Sequence, residues 1–457
     1  MRMNRIARRA AVLSVLLLLL AVGTAFFVGE YLAESGDWIL FPGSPHLYSG
    51  NKVGTGVIVD SSGGLLVDLR DGRTYCDNQL VRQSVLHWVG DRKGNISVPF
   101  ATHYAKELLG YDAVNGAYAY GDTYGTIQLT LSAKVQAAVL EAMGDKVGTV
   151  AVYNYQTGEL ICAVTTPNFD PDNEPDIQGD TTGAYTGVYV NRFIQSKYIP
   201  GSIFKIVTLA AALETIPGIE EQRFSCNGTY VIQNGDITCQ RAHGNQTLKE
   251  AFANSCNCAF AQIAIQIGSQ KLERYVQLFG ITESVSFDGL TTTTGNFEAM
   301  GSTAEQIAWS GIGQHKDQVN LCAFLRFVGA VAGGGVGAEP YVVSSVSVGG
   351  RETYTASTRK TERLISKNTA QILQEYMLNN VESTYGAEKF PITSVGAKSG
   401  TGEVGGGKAP NAMFVGFISD SQYPLAFVAA IEEGGYGSQT CIPIISQALK
   451  ACLETYQ

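Results

Sequence analysis

Pro200-Gly201-Ser202-Ile203-Phe204-Lys205 leads into an apolar run, Ile206 to Leu213, that meets no breaker until Pro217-Gly218. Proline and glycine punctuate the chain just ahead of this run, so the pattern predicts a buried helix with Ser202 in its first turn. Residues three apart share a helix face, which sets the Ser202 hydroxyl beside the Lys205 amine. An apolar setting disfavours a charged ammonium and favours a free amine able to take the serine proton. The stretch therefore predicts a nucleophile with its own base.

Ser-x-x-Lys alone is a weak signal, since it recurs at Ser49 to Lys52 and Ser357 to Lys360, neither of which opens an apolar helix. Ser202 stands apart because two further motifs come after it in a fixed order, Ser255-Cys256-Asn257 and then Lys398-Ser399-Gly400-Thr401. Thr247-Leu248-Lys249-Glu250 is a capping-box pattern that starts a short helix to Asn254, and a second apolar segment runs from Cys258 to Ile267. Ser255 to Asn257 is thus expected in an interhelical turn, where side chains face a cleft. Val395 to Thr401, Asn411 to Ser419 and Pro424 to Ile431 read as strands, so Lys398 sits on a strand as a second cation. Across the same cleft it would lower the pKa of Lys205 by like charge.

Three motifs in this order resemble those of the penicillin-binding protein transpeptidases and class A β-lactamases. The resemblance spans about residues 122 to 457. It is supported by Gly158-Glu159, Asn168-Phe169-Asp170-Pro171, His243-Gly244, Gly311-Ile312-Gly313-Gln314 and Phe414-Val415-Gly416-Phe417. It implies an α+β fold of the serine D,D-peptidase/β-lactamase type, with a central five-stranded antiparallel sheet flanked by helices. It also implies Ser202, Lys205, Ser255, Asn257 and Lys398 as the catalytic set, with Ser399, Gly400 and Thr401 binding substrate. The backbone N–H groups of Ser202 and Thr401 would form the oxyanion hole. Ser399 stands where the family more often has threonine, which keeps the hydroxyl. The implied activity is that of a monofunctional, class B-like peptidoglycan D,D-transpeptidase, acting on stem peptides through an acyl-Ser202 intermediate and acylated by β-lactams. A D,D-carboxypeptidase or β-lactamase would hydrolyse the same acyl-enzyme, and a non-enzymatic penicillin sensor or scaffold is the third class. A membrane glycosyltransferase of the cell-wall machinery is an implied partner.

The ends of the chain suggest where it works. Arg2, Arg5, Arg8 and Arg9 precede 19 uncharged residues, Ala10 to Val28. As a helix these reach about 28 Å, close to the hydrocarbon thickness of a bilayer. Residues 1–9 are expected as a cytoplasmic tail, 10–28 as a single transmembrane anchor, 29–121 as a small membrane-proximal module and 122–457 as the transpeptidase domain, outside the cytoplasm. Formal net charge is −9, which disfavours nucleic acid as a partner.

Nine cysteines imply at least one unpaired thiol. Cys226 and Cys239 bracket a turn-rich stretch that reads as a hairpin, and a disulfide between them is expected. Cys256-Asn257-Cys258 offers too few ligands for zinc by itself, and the five histidines are scattered, so neither metal nor cofactor is expected. Gly402 to Lys408 fits Gly-x4-Gly-Lys, but Ala409 replaces the Ser/Thr that a phosphate loop needs. Asp170 to Glu174 reads as a solvated acidic loop.

Overall fold

The computed structural model describes residues 2–38, 56–70, 72–111, 124–233 and 235–455. Its centre is a five-stranded sheet in the order Val395–Gly402, Asn411–Ile418, Leu425–Ile431, Gly148–Asn154, Leu160–Thr166. Every neighbouring pair is antiparallel. Side chains alternate faces along a strand, and here both faces are covered. Met413, Val415, Ala426, Val428 and Ala430 join the core that contains helices Lys205–Thr215 and Leu321–Ala332. Phe414, Ile418, Phe427, Ala429 and Ile431 join the core under helices Ala133–Met143 and Gly437–Thr455. Double coverage explains why the strands read as unbroken apolar runs and not as alternating ones. The α+β arrangement expected from the motifs is the one observed.

The last helix, Gly437–Thr455, carries Pro443 in its interior. Cys441, Ile442, Ile444 and Ile445 are all buried on either side of the ring, so packing against the sheet outweighs the missing backbone bond.

A second sheet draws strands from both sides of the boundary expected at residue 121. Its order is Arg351–Thr355, Val343–Val348, Gly125–Leu129, Val57–Val59, Leu65–Asp68, Thr74–Tyr75. Val57–Val59 pairs in parallel with Gly125–Leu129, so the segment ahead of residue 121 is hydrogen-bonded into the sheet that also carries residues 343–355. The Trp88 indole N–H donates to the Ala163 carbonyl at 2.7 Å, tying the same segment to the edge of the central sheet. Asp170, expected in water, is buried and held by the Arg82 guanidinium at 2.5 and 2.7 Å. That guanidinium keeps its carboxyl below the usual range. Ahead of these elements lies one helix, Arg2–Trp38, long and apolar enough to cross a membrane. It outruns the expected span at both ends.

Candidate active site

Ser202 lies in a 3-10 turn, Gly201–Phe204, that runs directly into the helix Lys205–Thr215. The turn is clamped on two sides by close backbone approach. Gly201 has φ +53°, and a Cβ there would stand 2.2 Å from the Thr401 carbonyl oxygen. Gly313 has φ +77°, and its Cβ would meet the Gly201 carbonyl at 2.3 Å. The Gly201 N–H donates to the Gly313 carbonyl at 2.9 Å. Glycine is needed at both positions, for the left-handed backbone and for the approach. Ser202 is thereby fixed between the 395–402 strand and the 311–314 turn.

Lys205 is fully buried, yet its Nζ is ringed by oxygens. It lies 3.0 Å from Ser202 Oγ, 2.7 Å from the Ser255 carbonyl oxygen, 2.7 Å from Asn257 Oδ1 and 3.2 Å from Ser255 Oγ. The Asn257 amide nitrogen donates to the Thr238 carbonyl at 2.8 Å, which aims its oxygen at Lys205. Thr247–Glu250 forms the expected capping box, the following helix is Leu248–Ala253, and the next helix begins at Asn257. Ser255 sits between the two helices with φ +50°. Lys398, also fully buried, brings its Nζ to 3.0 Å from Ser255 Oγ and 2.9 Å from the Ser399 carbonyl. One hydroxyl thus bridges two amines.

Burial pushes the Lys205 ammonium down to about 8, while the thiols of Cys239, Cys256 and Cys258 pull weakly the other way. Lys398 is pushed far down, by burial first and by the charge of Lys205 second. The like charge of the two amines is thus felt at Lys398, where burial is the larger cause.

The 395–402 strand forms the edge of the central sheet. Gly400 makes room for the nucleophile turn. A Cβ there would meet the Pro200 carbonyl at 2.8 Å, so the missing side chain admits the nucleophile turn. The Ser399 hydroxyl is engaged by the Tyr385 hydroxyl at 3.0 Å, and the same tyrosine oxygen accepts from the Ser399 N–H at 2.9 Å. Gln314 donates to the Thr401 carbonyl at 2.8 Å. Tyr385 carries no motif in the sequence, whereas Gln314 closes the Gly-Ile-Gly-Gln stretch already singled out. Of the two other Ser-x-x-Lys pairs, Ser49 to Lys52 lies outside the described residues. Lys360 is exposed and turns to the Gln156 carbonyl. Lys408, of the glycine-rich stretch, pairs with Glu433 at 2.9 Å.

Residues 148–450 match the family model of the penicillin-binding protein transpeptidase domain. The chain belongs to the penicillin-binding protein transpeptidase family. A peptidoglycan D,D-transpeptidase PbpA of Mycolicibacterium smegmatis is 26% identical over 338 residues, which cover 68% of each chain. The D,D-transpeptidase domain of a peptidoglycan glycosyltransferase from Eggerthella lenta is 26% identical and superposes with a TM-score of 0.75 over 88% of this chain and 98% of its own. Penicillin-binding protein A of M. tuberculosis, solved as a ceftriaxone acyl-enzyme, superposes with a TM-score of 0.76 at 22% identity, over 87% and 98%. The superpositions, over 87% and 88% of this chain, extend well ahead of residue 148.

The expected Cys226–Cys239 disulfide is not formed, and all nine cysteines are free. The reason is topological. The hairpin runs through Thr229–Ile232 and Gly235–Thr238, while Arg223–Cys226 pairs instead with Gly244–Thr247. Cys226 Sγ therefore faces His243 Nδ1 at 3.4 Å, and Cys239 Sγ faces Cys256 Sγ at 3.7 Å.

Proposed function

We propose that this chain is a membrane-anchored D,D-transpeptidase that cross-links peptidoglycan stem peptides through an ester on Ser202. The observation that carries the reading is the surroundings of Lys205 Nζ. A neutral amine has two N–H donors and one lone pair, and two short acceptors, the Ser255 carbonyl and Asn257 Oδ1, take the donors. The lone pair is then left for the Ser202 hydroxyl at 3.0 Å. Ser202 Oγ attacks the penultimate D-alanine carbonyl as its proton passes to Lys205. The proton goes on through Ser255 Oγ to the departing D-alanine amine, and Lys398 steadies that hydroxyl from the other side. An amine of a neighbouring stem peptide then attacks the ester, loses a proton to Lys205 and frees Ser202. A β-lactam enters at the same first step, but its opened ring stays attached. The N–H groups of Ser202 and Thr401 are the proposed oxyanion hole, and the Thr401 hydroxyl the contact for the substrate carboxylate. The four arginines at the start of the Arg2–Trp38 helix favour a cytoplasmic N-terminus, with the catalytic domain outside. A membrane glycosyltransferase that makes the glycan strands is the proposed partner.

The test pairs fluorescent penicillin labelling with a stem-peptide assay that separates cross-linked from hydrolysed product. Wild type should label and cross-link, and Ser202→Ala should do neither. Labelling that survives Ser202→Ala overturns the nucleophile, and hydrolysed product alone turns the reading to a carboxypeptidase.

A further inference from the structure

Behind the Ser255–Asn257 turn, four soft ligands converge that the acyl-transfer chemistry does not use. Cys226 Sγ, Cys239 Sγ, His243 and Cys256 Sγ present ligand atoms that all lie within 4.8 Å of one another. They come from three separate pieces of chain: the end of the strand Arg223–Cys226, the segment after the hairpin strand Gly235–Thr238, and the N-cap of the helix Asn257–Ile267. The spacing is C-x12-C-x3-H-x12-C. Neither adjacency in sequence nor a common helix face explains their meeting.

We propose that Cys226, Cys239, His243 and Cys256 bind one structural zinc ion, which pins the catalytic Ser255–Asn257 turn to the hairpin beside it. Tetrahedral zinc holds thiolate sulfur at about 2.3 Å and imidazole nitrogen at about 2.0 Å, so the edges of its ligand tetrahedron are about 3.8 Å between sulfurs and about 3.5 Å between sulfur and nitrogen. Cys239 and Cys256 stand 3.7 Å apart, and Cys226 stands 3.4 Å from His243 Nδ1. Two edges of the tetrahedron are already in place. No separation exceeds 4.8 Å, at most about 1.3 Å beyond a tetrahedral edge and within reach of side-chain rotation on to the ion.

Main-chain donors also point at the sulfurs, as thiolate ligands require. The Ala259 N–H is 3.4 Å from Cys256 Sγ, and the Cys258 N–H is 3.3 Å from Cys239 Sγ. Such bonds orient ligands and stabilise their negative charge. A disulfide between Cys239 and Cys256 would use two of the four groups and leave the convergence of Cys226 and His243 without a role. Sulfur and imidazole in a tetrahedral array suit zinc over magnesium or calcium, which prefer oxygen. Cys258, whose Sγ faces the Ile237 carbonyl at 3.7 Å, lies outside the four.

The consequence for chemistry is direct. Cys256 is flanked by Ser255 and Asn257, whose oxygens surround Lys205, and Thr238, which orients the Asn257 amide, is next to Cys239. Zinc would lock both sides of that wall. This last step rests on the transpeptidase reading, but the metal measurements do not.

Full-length protein, purified in detergent without chelator, should carry about one zinc per chain by elemental analysis. Cys226→Ser, Cys239→Ser and His243→Ala should each lose it, while Cys258→Ser and Cys322→Ser keep it. Metal-free protein reloaded with cobalt(II) should show the intense visible bands of tetrahedral thiolate coordination, a readout that stands if the variants fail to fold. Removing zinc should slow penicillin acylation at least tenfold, and adding it back should restore the rate. Wild type with no bound metal, iron in place of zinc, or unreduced peptide mapping that finds a Cys239–Cys256 disulfide would each overturn the proposal. Zinc lost from Cys258→Ser but kept by His243→Ala would overturn the ligand set.

Discussion

Lys205 is a base only when it is neutral, and burial is what makes it so. Its folded pKa of about 8 lies below the ordinary lysine value, so the amine is charged below pH 8 and free above it. Acylation should therefore rise with pH through a midpoint near 8 and level off above it. Lys398 is pushed down as well, by burial first; with that amine neutral, Lys398→Met should lower the plateau and leave the midpoint in place. Stopped-flow penicillin acylation across pH 6 to 10 measures both. A wild-type rate flat across that range would remove Lys205 from the base role, and a midpoint displaced by a full pH unit in Lys398→Met would show the second amine charged after all. Tyr385 makes a different kind of contribution. Its hydroxyl accepts from the Ser399 N–H and meets the Ser399 Oγ, so Tyr385→Phe strips a part-buried N–H of its partner. We expect a stability loss of about 1–3 kcal/mol, read by chemical denaturation, with slower acylation as the third-motif strand loosens. Unchanged stability would mean that water or a neighbour replaces the phenol.

At the level of elements, the nucleophile turn and the third-motif strand are one unit, because three backbones meet where side chains would not fit. Gly201→Ala places a methyl 2.2 Å from a main-chain oxygen and strains a left-handed backbone. The left-handed conformation alone costs about 1–2 kcal/mol, and the clash must be relieved by moving Ser202 away from Thr401. Penicillin acylation should fall by two orders of magnitude or more, with a lower thermal midpoint, and a variant that labels at the wild-type rate would disprove the clamp. Most of this unit is legible in the sequence. Pro-Gly ahead of an apolar run sets Ser202 and Lys205 on one helix face, and a capping box places the Ser255 turn between two helices. Gly201 itself reads as punctuation only, because its contact lies across 200 residues of chain. Tyr385 stays hidden for a related reason: a lone tyrosine at the end of a helical segment has no pattern, and it acquires a partner only when the strand folds beside it. Two of the four proposed zinc ligands, Cys226 and Cys239, read in sequence as a hairpin disulfide, since strand pairing between residues 223–226 and 244–247, not loop length, decides which sulfurs meet.

For the whole molecule, the second sheet matters more than the boundary expected at residue 121. The Val57–Val59 strand lies against Gly125–Leu129, and Trp88 is buried with its indole bonded to the central sheet. A chain starting at residue 124 would leave the 125–129 strand unpaired on that side and expose the Trp88 socket. It should aggregate or melt well below the full chain, whereas a chain starting at residue 56 should label with penicillin at the wild-type rate. Expression of both, followed by thermal melts and labelling, checks this, and a stable, active fragment from residue 124 would show the second sheet to be dispensable. Residues 57–59 and 65–67 are visible in the sequence as short strands, but parallel pairing with a strand about 70 residues later cannot be read from alternation.

The two buried amines have a further consequence. Ser202 is half-exposed at the floor of the cleft, while the nitrogens of Lys205 and Lys398 lie beneath it, out of contact with solvent. A small electrophile that attacks amines without regard to shape should modify surface lysines such as Lys134, Lys249 and Lys408 and leave these two unmarked, even though burial lowers the basicity of both. Only a reagent that first bonds to Ser202 comes near them. The fold thus screens both amines from indiscriminate chemistry and lends their reactivity to a single oxygen.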